Sequence, residues 1–518
     1  MAGTPRYYLT TPIYYVNDVP HIGHAYTTLA CDVLARFKRL DGWEVKFLTG
    51  TDEHGQKVEK SAAAAGVTPQ AFADRVSQNF RDLPALLKFT NDDFIRTTEP
   101  RHRAACQALW QALVENGHVY LGSYSGWYAV RDEAYYGEDE LRDGPGGKKF
   151  APTGAECEWV EEPSYFFRLS AWQQPLLEFY ERNPDFILPP GKRNEVVAFV
   201  KSGLRDLSIS RTTFDWGIRV PGDEKHIMYV WLDALTNYIT AAGYPETGPG
   251  TPYAHIWPAD LHMVGKDILR FHAIYWPAFL MAAGLAPPRR VFAHGWWTIE
   301  GQKMSKSLGN VVAPETLVTS YGLDATRYFL MREVPFGNDG DFSHRAMVNR
   351  INGDLANDYG NLVQRVLSMI AKNCGGVVPQ PGPFLDADQK LLGSAHALLE
   401  TARRELDVQA FHRVLDAIWA VVGAANRYVD EQAPWALKKN DPPRMATVLY
   451  VLAETIRHLA ILTQPVMPDA SARILDQLAV PVDTCTFAHF GPDHALTPGV
   501  KLPTPQGVFP RYVDEPKG

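Results

Sequence analysis

The chain has 518 residues, 46% of them apolar and 21% charged. That length leaves room for several cored domains, and the composition excludes a disordered, fibrous or disulfide-built protein. With 51 basic and 59 acidic residues the formal net charge is −8, which excludes non-specific nucleic-acid binding by the whole surface, so any such contact has to be local.

Cys31, Cys106, Cys157, Cys374 and Cys485 stand far apart and form no CxxC pair. They read as reduced cytosolic thiols rather than as a zinc knuckle or redox couple. No uninterrupted apolar run reaches the roughly 18 residues of a membrane span, and residues 446–467 are broken by Glu454, Arg457 and His458, so no membrane association is expected. The opening MAGTPRYYLTTPIYYV has no basic segment before an apolar core, so no targeting signal is read and a cytoplasmic location is expected.

In chain order, β-branched and aromatic residues from Tyr7 to Tyr15 predict a strand, and Asn17, Asp18 and Pro20 a turn. Tyr26, Leu29, Val33, Phe37 and Leu40 then recur at spacings of three and four, predicting a helix with one apolar face. A second strand over 44–49 ends in GTDEHG. Strand, helix, strand is the start of a parallel α/β sheet of the nucleotide-binding kind. From about residue 116 to 224 aromatics cluster around a turn-rich stretch, 137–154, which reads as an insertion into the sheet. Helix and strand patterns resume over 226–241 and 256–282, followed by a strand-like 290–298 and the polar loop EGQKMSKSLGN. After Phe342 helical periods run through 370, 387–408, 411–429 and 444–464, predicting an α-helical bundle, and a Pro-rich irregular tail follows. The expected organisation is 1–115 and 225–300 for the two halves of the sheet domain, 116–224 for the insertion, 301–345 for the loop region, 346–484 for the helical domain and 485–518 for the tail.

His21-Ile22-Gly23-His24 falls where the first strand hands over to the helix. Two imidazole donors beside the exposed N–H groups of a first helical turn make an anion site, and Gly23 admits a ligand close to the backbone. In isolation the pattern fits two surface histidines at a turn equally well. Lys303-Met304-Ser305-Lys306-Ser307 places two ammonium groups three apart among hydroxyls, suited to following a phosphate that moves during reaction. Alone it reads as a solvated basic turn. Together, 279 residues apart, the two motifs require a fold in which they meet around one triphosphate.

HIGH after the first strand with KMSKS after the last resembles the paired signature of class I aminoacyl-tRNA synthetases. TTPIYYVNDVPHIGHAYT, YVWLDALTNYI, GKDILRFHAIYWPA, HGWWTIEGQKMSKSLGN, DLANDYGNLVQR and RYVDEQAPW are similar to the corresponding blocks of the methionyl family, over Tyr7 to about Pro468. The resemblance implies an α/β fold: a split Rossmann-like parallel-sheet catalytic domain with a connective insertion, then an α-helical bundle that binds the anticodon. It implies activation of L-methionine with ATP to methionyl-adenylate and pyrophosphate, then transfer to the 3′-terminal adenosine of tRNA(Met). In that scheme His21 and His24 contact the triphosphate, and Lys303 and Lys306 close over the leaving pyrophosphate with Mg2+. Gly23, Ser305 and Ser307 stand beside them, Gly265 and Asp267 line the ATP pocket, and Trp297 lies near the adenine. The methionine pocket comprises Ile13, Tyr15, Trp231, Ala234, Leu235, Tyr238, Ile268 and His272, with Trp276 nearby and Asp52 holding the ammonium. A thioether packs well on aromatic edges, although Trp231, Leu235 and Tyr238 at helical spacing also fit a plain core helix. Asn361, Arg365 and Trp435 match positions that read the anticodon CAU by stacking and base-edge contacts. Arg345 and Arg350 fit either phosphate contacts or a solvated helix face.

Two departures from the family pattern stand out. Many members carry CxxC knuckles in the insertion, where this chain has only Cys157, so no structural zinc is expected and the glycine-rich turn around Gly146 takes the place of the metal-bound loop. Leu235 stands where some members have proline. An insertion of about 110 residues is too short for the editing domain of the leucine, isoleucine and valine enzymes, whose need arises because one methylene is worth only about 1 to 3 kcal/mol. No cysteine stands in the motifs, which argues against cysteine as substrate. No appended OB-fold follows the bundle, so a monomer is expected. The competing readings are another class I synthetase of the same subgroup and a catalytically inactive paralogue acting as a tRNA-binding protein; the two intact phosphate motifs argue against the latter.

Overall fold

The computed structural model describes residues 3–17, 19–304 and 309–514. The chain forms two compact units, one of Arg6–Pro20 with Lys46–His294 and one of Met1–Pro5, His21–Val45 and Gly295–Gly518.

The first unit is built on a seven-stranded sheet. The predicted opening strand is split into β1 (Arg6–Thr10) and β2 (Tyr14–Tyr15), because Pro12 has no N–H for the ladder. With β3 (Glu44–Asp52), β4 (Asp93–Arg96) and the strands Leu261–Gly265, Val291–His294 and Ile187–Leu188, the order runs Ile187–Leu188, Val291–His294, Leu261–Gly265, β1, β3, β2, with β4 also on β3. Leu9 lies opposite Leu261, Leu48 opposite Asp93 and Val264 opposite Ala293, all in parallel register. Leu9, Leu48, Ile95, Val264, Val291 and Ala293 are fully buried, as expected of a parallel sheet covered on both faces. Parallel strands end at one edge, so Ile13 and Tyr15 after β1, Asp52 at the end of β3 and Gly265 all lie at the carboxyl ends, where α/β sheets bind ligands.

The insertion is a long antiparallel ladder of Val119–Ala129 on Glu156–Phe167, running from Val119 opposite Phe167 to Tyr128 opposite Glu158, with Ala134–Tyr136 on its edge. Its turn carries Gly146 and Gly147 at φ 72° and 75°, a left-handed backbone that glycine adopts without strain. Cys157 is buried among Ala129, Ala151 and Ala155. The helix and strand patterns over 256–282 resolve into the strand Leu261–Gly265, preceded by a short helix Pro252–Ile256, and the helix Trp276–Ala282, preceded by a wide π turn, Phe271–Tyr275. Such wide turns recur at functional sites, and this one carries His272.

The second unit contains α1 (Ile22–Leu40), a three-stranded sheet (Trp297–Ile299, Gln302–Lys303, Gly340–Phe342) and the helices from Pro314 onward. The expectation of one apolar face on α1 is corrected: Thr27, Thr28 and Asp32 are buried too. Asp32 survives burial because Arg36 Nε (2.8 Å) and Arg327 Nη2 (2.7 Å) donate to it. Arg327 also donates to the carbonyls of Pro465 (2.8 Å) and Val466 (2.9 Å), tying α1 to the bundle. Pro442–Thr463 is the one helix among the described residues long and apolar enough to cross a membrane, and it is the buried centre of the bundle. The polar residues that interrupt it hold the tail: Arg457 pairs with Glu454 (2.6 Å) and donates to the His489 carbonyl (2.7 Å), while Glu454 accepts from the Leu496 N–H (3.0 Å). The tail is therefore docked on the bundle as a series of short turns.

Candidate active site

In the second unit, His21 is the N-cap of α1. Its Nδ1 accepts from the Gly23 N–H (3.0 Å), and His24 Nδ1 accepts from the His21 N–H (3.1 Å), a capping box made of two imidazoles. An imidazole accepting at Nδ1 carries its hydrogen on Nε2, so each ring is set as an Nε2–H donor. Burial, then the neighbouring His21, holds His24 well below the usual imidazole range, so it donates as a neutral ring. The ring centroids are 4.0 Å apart. The expectation of exposed helix amides is corrected: Ile22 N donates to the Val312 carbonyl (3.0 Å), His24 N to the His21 carbonyl (3.0 Å), and the Gly23 amide to the cap. What the helix start offers an anion is its dipole and two imidazole N–H groups. Gly23 has a further role, because a Cβ there would lie 2.9 Å from His21 Cε1 and push the cap ring out.

The Ile22–Val312 bond brings the chain following KMSKS against HIGH within this unit. Lys303 is exposed, its Nζ 5.4 Å from the Trp296 ring centre, and Asn310 Nδ2 donates to the Lys303 carbonyl (3.1 Å), closing the loop base. Ser305, Lys306 and Ser307 lie outside the described residues. Trp297 is only 3% exposed, packed edge-on to Tyr26 and against Phe329; the exposed indole of the pair is Trp296. The buried Nε1 of Trp297 has no hydrogen-bond partner among the described residues.

In the first unit the GTDEHG segment divides three tasks among adjacent residues. Asp52 is 8% exposed and its Oδ1 has no hydrogen-bond partner among the described residues. Burial, reinforced by Asp233 and Glu133, pushes its carboxyl well above the usual range. Glu53 is saturated, by Arg96 (2.7 and 2.9 Å), Thr51 (2.7 Å) and Thr98 (2.7 Å). His54 reaches Asp233 (2.6 Å), which also meets His102 (2.7 Å) and is held down to about 2, despite its burial, by the two imidazoles.

Elsewhere in the first unit, Trp231 stacks on Phe271 with centroids 3.7 Å apart, and its buried Nε1 has no partner among the described residues. Tyr238 Oη donates to His272 Nε2 (2.7 Å), because His272 Nδ1 donates to the Ile268 carbonyl (2.9 Å); burial pushes His272 down to about 4. Ala234 and Leu235 are buried on the same helix, Val230–Thr240, and Ile13 and Ile268 pack partly buried against the same core. Trp276 Nε1 donates to His262 Nε2 (3.2 Å), whose Nδ1 donates to Thr10 (2.8 Å). The result is an aromatic group around a buried imidazole that burial keeps neutral. Gly265 is tight, since a Cβ would lie 2.5 Å from Asp267 Oδ1, and Asp267 itself is exposed. Glu53, His54, His102, Glu133, Asp233 and His262 were not among the residues singled out from sequence. Only the run of charged residues in GTDEHG signalled the first two.

On the bundle, Trp435 is 51% exposed at the start of the helix Pro434–Asn440, with the Arg365 guanidinium 5.9 Å from its ring; Asn361 is exposed one turn before Arg365. Arg365 is tethered to Asp430 (3.1 Å). Arg350 is engaged by Glu333 (2.7 Å) and Asp354 (3.0 Å), whereas Arg345 is exposed.

Comparison with known proteins places these features in context. The family described as "tRNA synthetases class I (M)" matches residues 7–367, and "Anticodon binding domain of methionyl tRNA ligase" matches residues 378–517. The chain is 60% identical to a methionine–tRNA ligase of Mesorhizobium japonicum, covering 99% of this chain and 98% of that protein. It is likewise 60% identical to one of Brucella suis, with 98% of each covered. Among solved structures it is similar to a Mycobacterium tuberculosis methionyl-tRNA synthetase in complex with methionyl-adenylate, at 53% identity and TM-score 0.96 over 98% of this chain and 100% of that one.

Proposed function

Since the chain belongs to the class I tRNA synthetases of the methionyl type, and so activates methionine with ATP and passes it to tRNA, we propose the following division of that reaction among its own residues. His21 and His24 donate Nε2–H to the triphosphate at the start of α1, with Gly23 keeping the cap ring in place. Lys303 and Lys306 follow the β- and γ-phosphates as pyrophosphate leaves, with Ser305 and Ser307 completing the loop. Gly265 and Asp267 receive the ribose side of the nucleotide. Asp52 takes the substrate ammonium, and Ile13, Tyr15, Trp231, Ala234, Leu235, Tyr238, Ile268 and His272 take the side chain. The neutral Tyr238–His272 pair and the Trp231 face offer polarisable edges to a thioether and no charge to attract a polar side chain.

The attack of the carboxylate on the α-phosphorus asks no covalent work of the protein. Alignment supplies up to about 7 to 11 kcal/mol, and each aimed donor about 3 to 4 kcal/mol. Mg2+ enters with ATP as part of the substrate; the nitrogen donors of HIGH and KMSKS are not the oxygen set this ion prefers. Asn361, Arg365 and Trp435 read the anticodon CAU, with an exposed indole and a guanidinium as stacking surfaces. The five free cysteines suit a reducing cytoplasm, where the enzyme works as a monomer without structural zinc.

The observation that carries this reading is the pair of imidazoles whose Nδ1 atoms are both consumed by backbone amides, leaving Nε2–H as the donor of each. ATP–pyrophosphate exchange with each of the twenty amino acids tests it. Exchange should respond to methionine alone, and Lys306→Ala should abolish it with tRNA binding retained; full exchange in that variant refutes the assignment of the loop. Trp435→Ala should leave exchange untouched and lower tRNA charging. The inactive-paralogue alternative finds no support among the relatives.

A further inference from the structure

Glu133 lies in the insertion, in the turn between Val119–Ala129 and Ala134–Tyr136. It is 5% exposed and sits at φ 49°, a left-handed conformation that a non-glycine residue adopts only when its surroundings hold it there. Those surroundings are the methionine side of the first unit. One carboxylate oxygen, Oε1, accepts from the Tyr15 hydroxyl (3.0 Å) and from the Lys57 N–H (3.1 Å), and Oε2 accepts from the Tyr128 hydroxyl. The backbone makes room for this carboxylate: Gly55 is at φ 109°, and a Cβ there would lie 2.7 Å from Glu133 Oε1 and 3.0 Å from Tyr15 Oη. Tyr15 is the register partner of Asp52. A phenol has one proton to give, so the acceptor that takes it decides where the ring edge points.

We propose that Glu133 is a positioning residue of the amino-acid site. By taking the Tyr15 hydroxyl and the Lys57 amide on one oxygen it fixes the Tyr15 ring beside Asp52, so that the insertion as well as the sheet sets the affinity for methionine. This rests on the reading above that Tyr15 and Asp52 line the methionine site.

The test measures methionine-dependent ATP–pyrophosphate exchange in the wild type, Glu133→Gln and Tyr15→Phe. Glutamine would keep an acceptor oxygen for the Tyr15 hydroxyl, so the variant that removes the acceptor is Glu133→Met, measured alone and with Tyr15→Phe. Glu133→Met is expected to raise KM for methionine roughly tenfold, the usual worth of a hydrogen bond to a charged acceptor, with KM for ATP unchanged. Tyr15→Phe, which removes only the donor, is expected to do the same, whereas Glu133→Gln should stay nearer the wild type. In the Tyr15→Phe background Glu133→Met should then add nothing. An unchanged KM for methionine in Glu133→Met, or an equal further rise in the double variant, overturns the proposal, since a residue that merely holds the insertion together acts independently of the Tyr15 hydroxyl. Should Glu133→Met fail to fold, a wild-type KM in Tyr15→Phe overturns it equally. Absence of methionine-dependent exchange in the wild type is a different failure, that of the functional reading, and removes the proposal with it.

Discussion

Gly23→Ala separates the chemistry of the HIGH segment from its stability. The new Cβ would stand 2.9 Å from His21 Cε1 and 3.1 Å from Nδ1. Carbon pairs rest at about 3.5 to 4.0 Å, so the ring has to swing away from the helix start. Swinging breaks the bond from the Gly23 N–H to Nδ1, a loss of about 0.5 to 2 kcal/mol typical of a missing N-cap. Replacing glycine by alanine in a helix returns up to about 1 kcal/mol. The two nearly cancel, so urea unfolding should show little change. The Nε2–H of His21, however, no longer points where Nδ1 anchoring aims it, and one lost donor to developing phosphate charge lowers kcat by about a hundredfold to a thousandfold. The assay is methionine-dependent ATP–pyrophosphate exchange beside urea titration of the same preparation. Wild-type exchange in Gly23→Ala, with His21 shown to have moved, refutes the claim that the cap aims the donor. A collapse of stability in parallel with activity refutes the claim that the two are separable.

Asp52→Asn should weaken methionine binding and at the same time raise the stability of the ligand-free protein near neutral pH, because it removes the charge from a carboxyl that burial disfavours. The folded carboxyl is raised, so the native state binds more protons than the unfolded one above the ordinary aspartate range. Its contribution to stability is therefore present at low pH and is lost as pH rises towards the folded value; that slope should vanish in Asp52→Asn, and its persistence in urea titrations across pH sinks the assignment. His272 behaves in the opposite sense: its folded value of about 4 lies below the usual 6.5, so the unfolded chain takes up the proton first. Its contribution, about 3 kcal/mol, is complete above pH 6.5 and disappears as pH falls through 4. Replacing His272 by Gln should flatten stability across that window, and an unchanged acid limb refutes the neutral-imidazole network. Arg327→Leu takes from the buried Asp32 one of the two guanidinium groups that donate to it, with Arg36 kept, and should cost about 3 to 5 kcal/mol in urea unfolding; a loss below 1 kcal/mol would show that Asp32 does not depend on Arg327.

Much of this protein was legible from local pattern. The spacing of Tyr26, Leu29, Val33 and Phe37 marks α1, and GTDEHG marks a strand end rich in charge. The HIGH and KMSKS segments announce phosphate chemistry because each is contiguous, and contiguous groups leave a signature that a reader of one dimension can see. Helical periodicity after Phe342 marks the bundle for the same reason.

The tertiary structure decided what depends on partners distant in the chain. Which nitrogen of His21 and His24 carries the proton follows from the backbone amides that the folded turn presents to them. Ile22 spends its amide on Val312, 290 residues on, so the helix start is less open than its sequence implies. Asp32 is buried because Arg327 arrives from 295 residues away, and Tyr15 is aimed by Glu133 from 118 residues away. Such pairings obey no spacing rule, since a hydrogen bond or ion pair is set by the position of two atoms in space, and only the closed fold brings those atoms together.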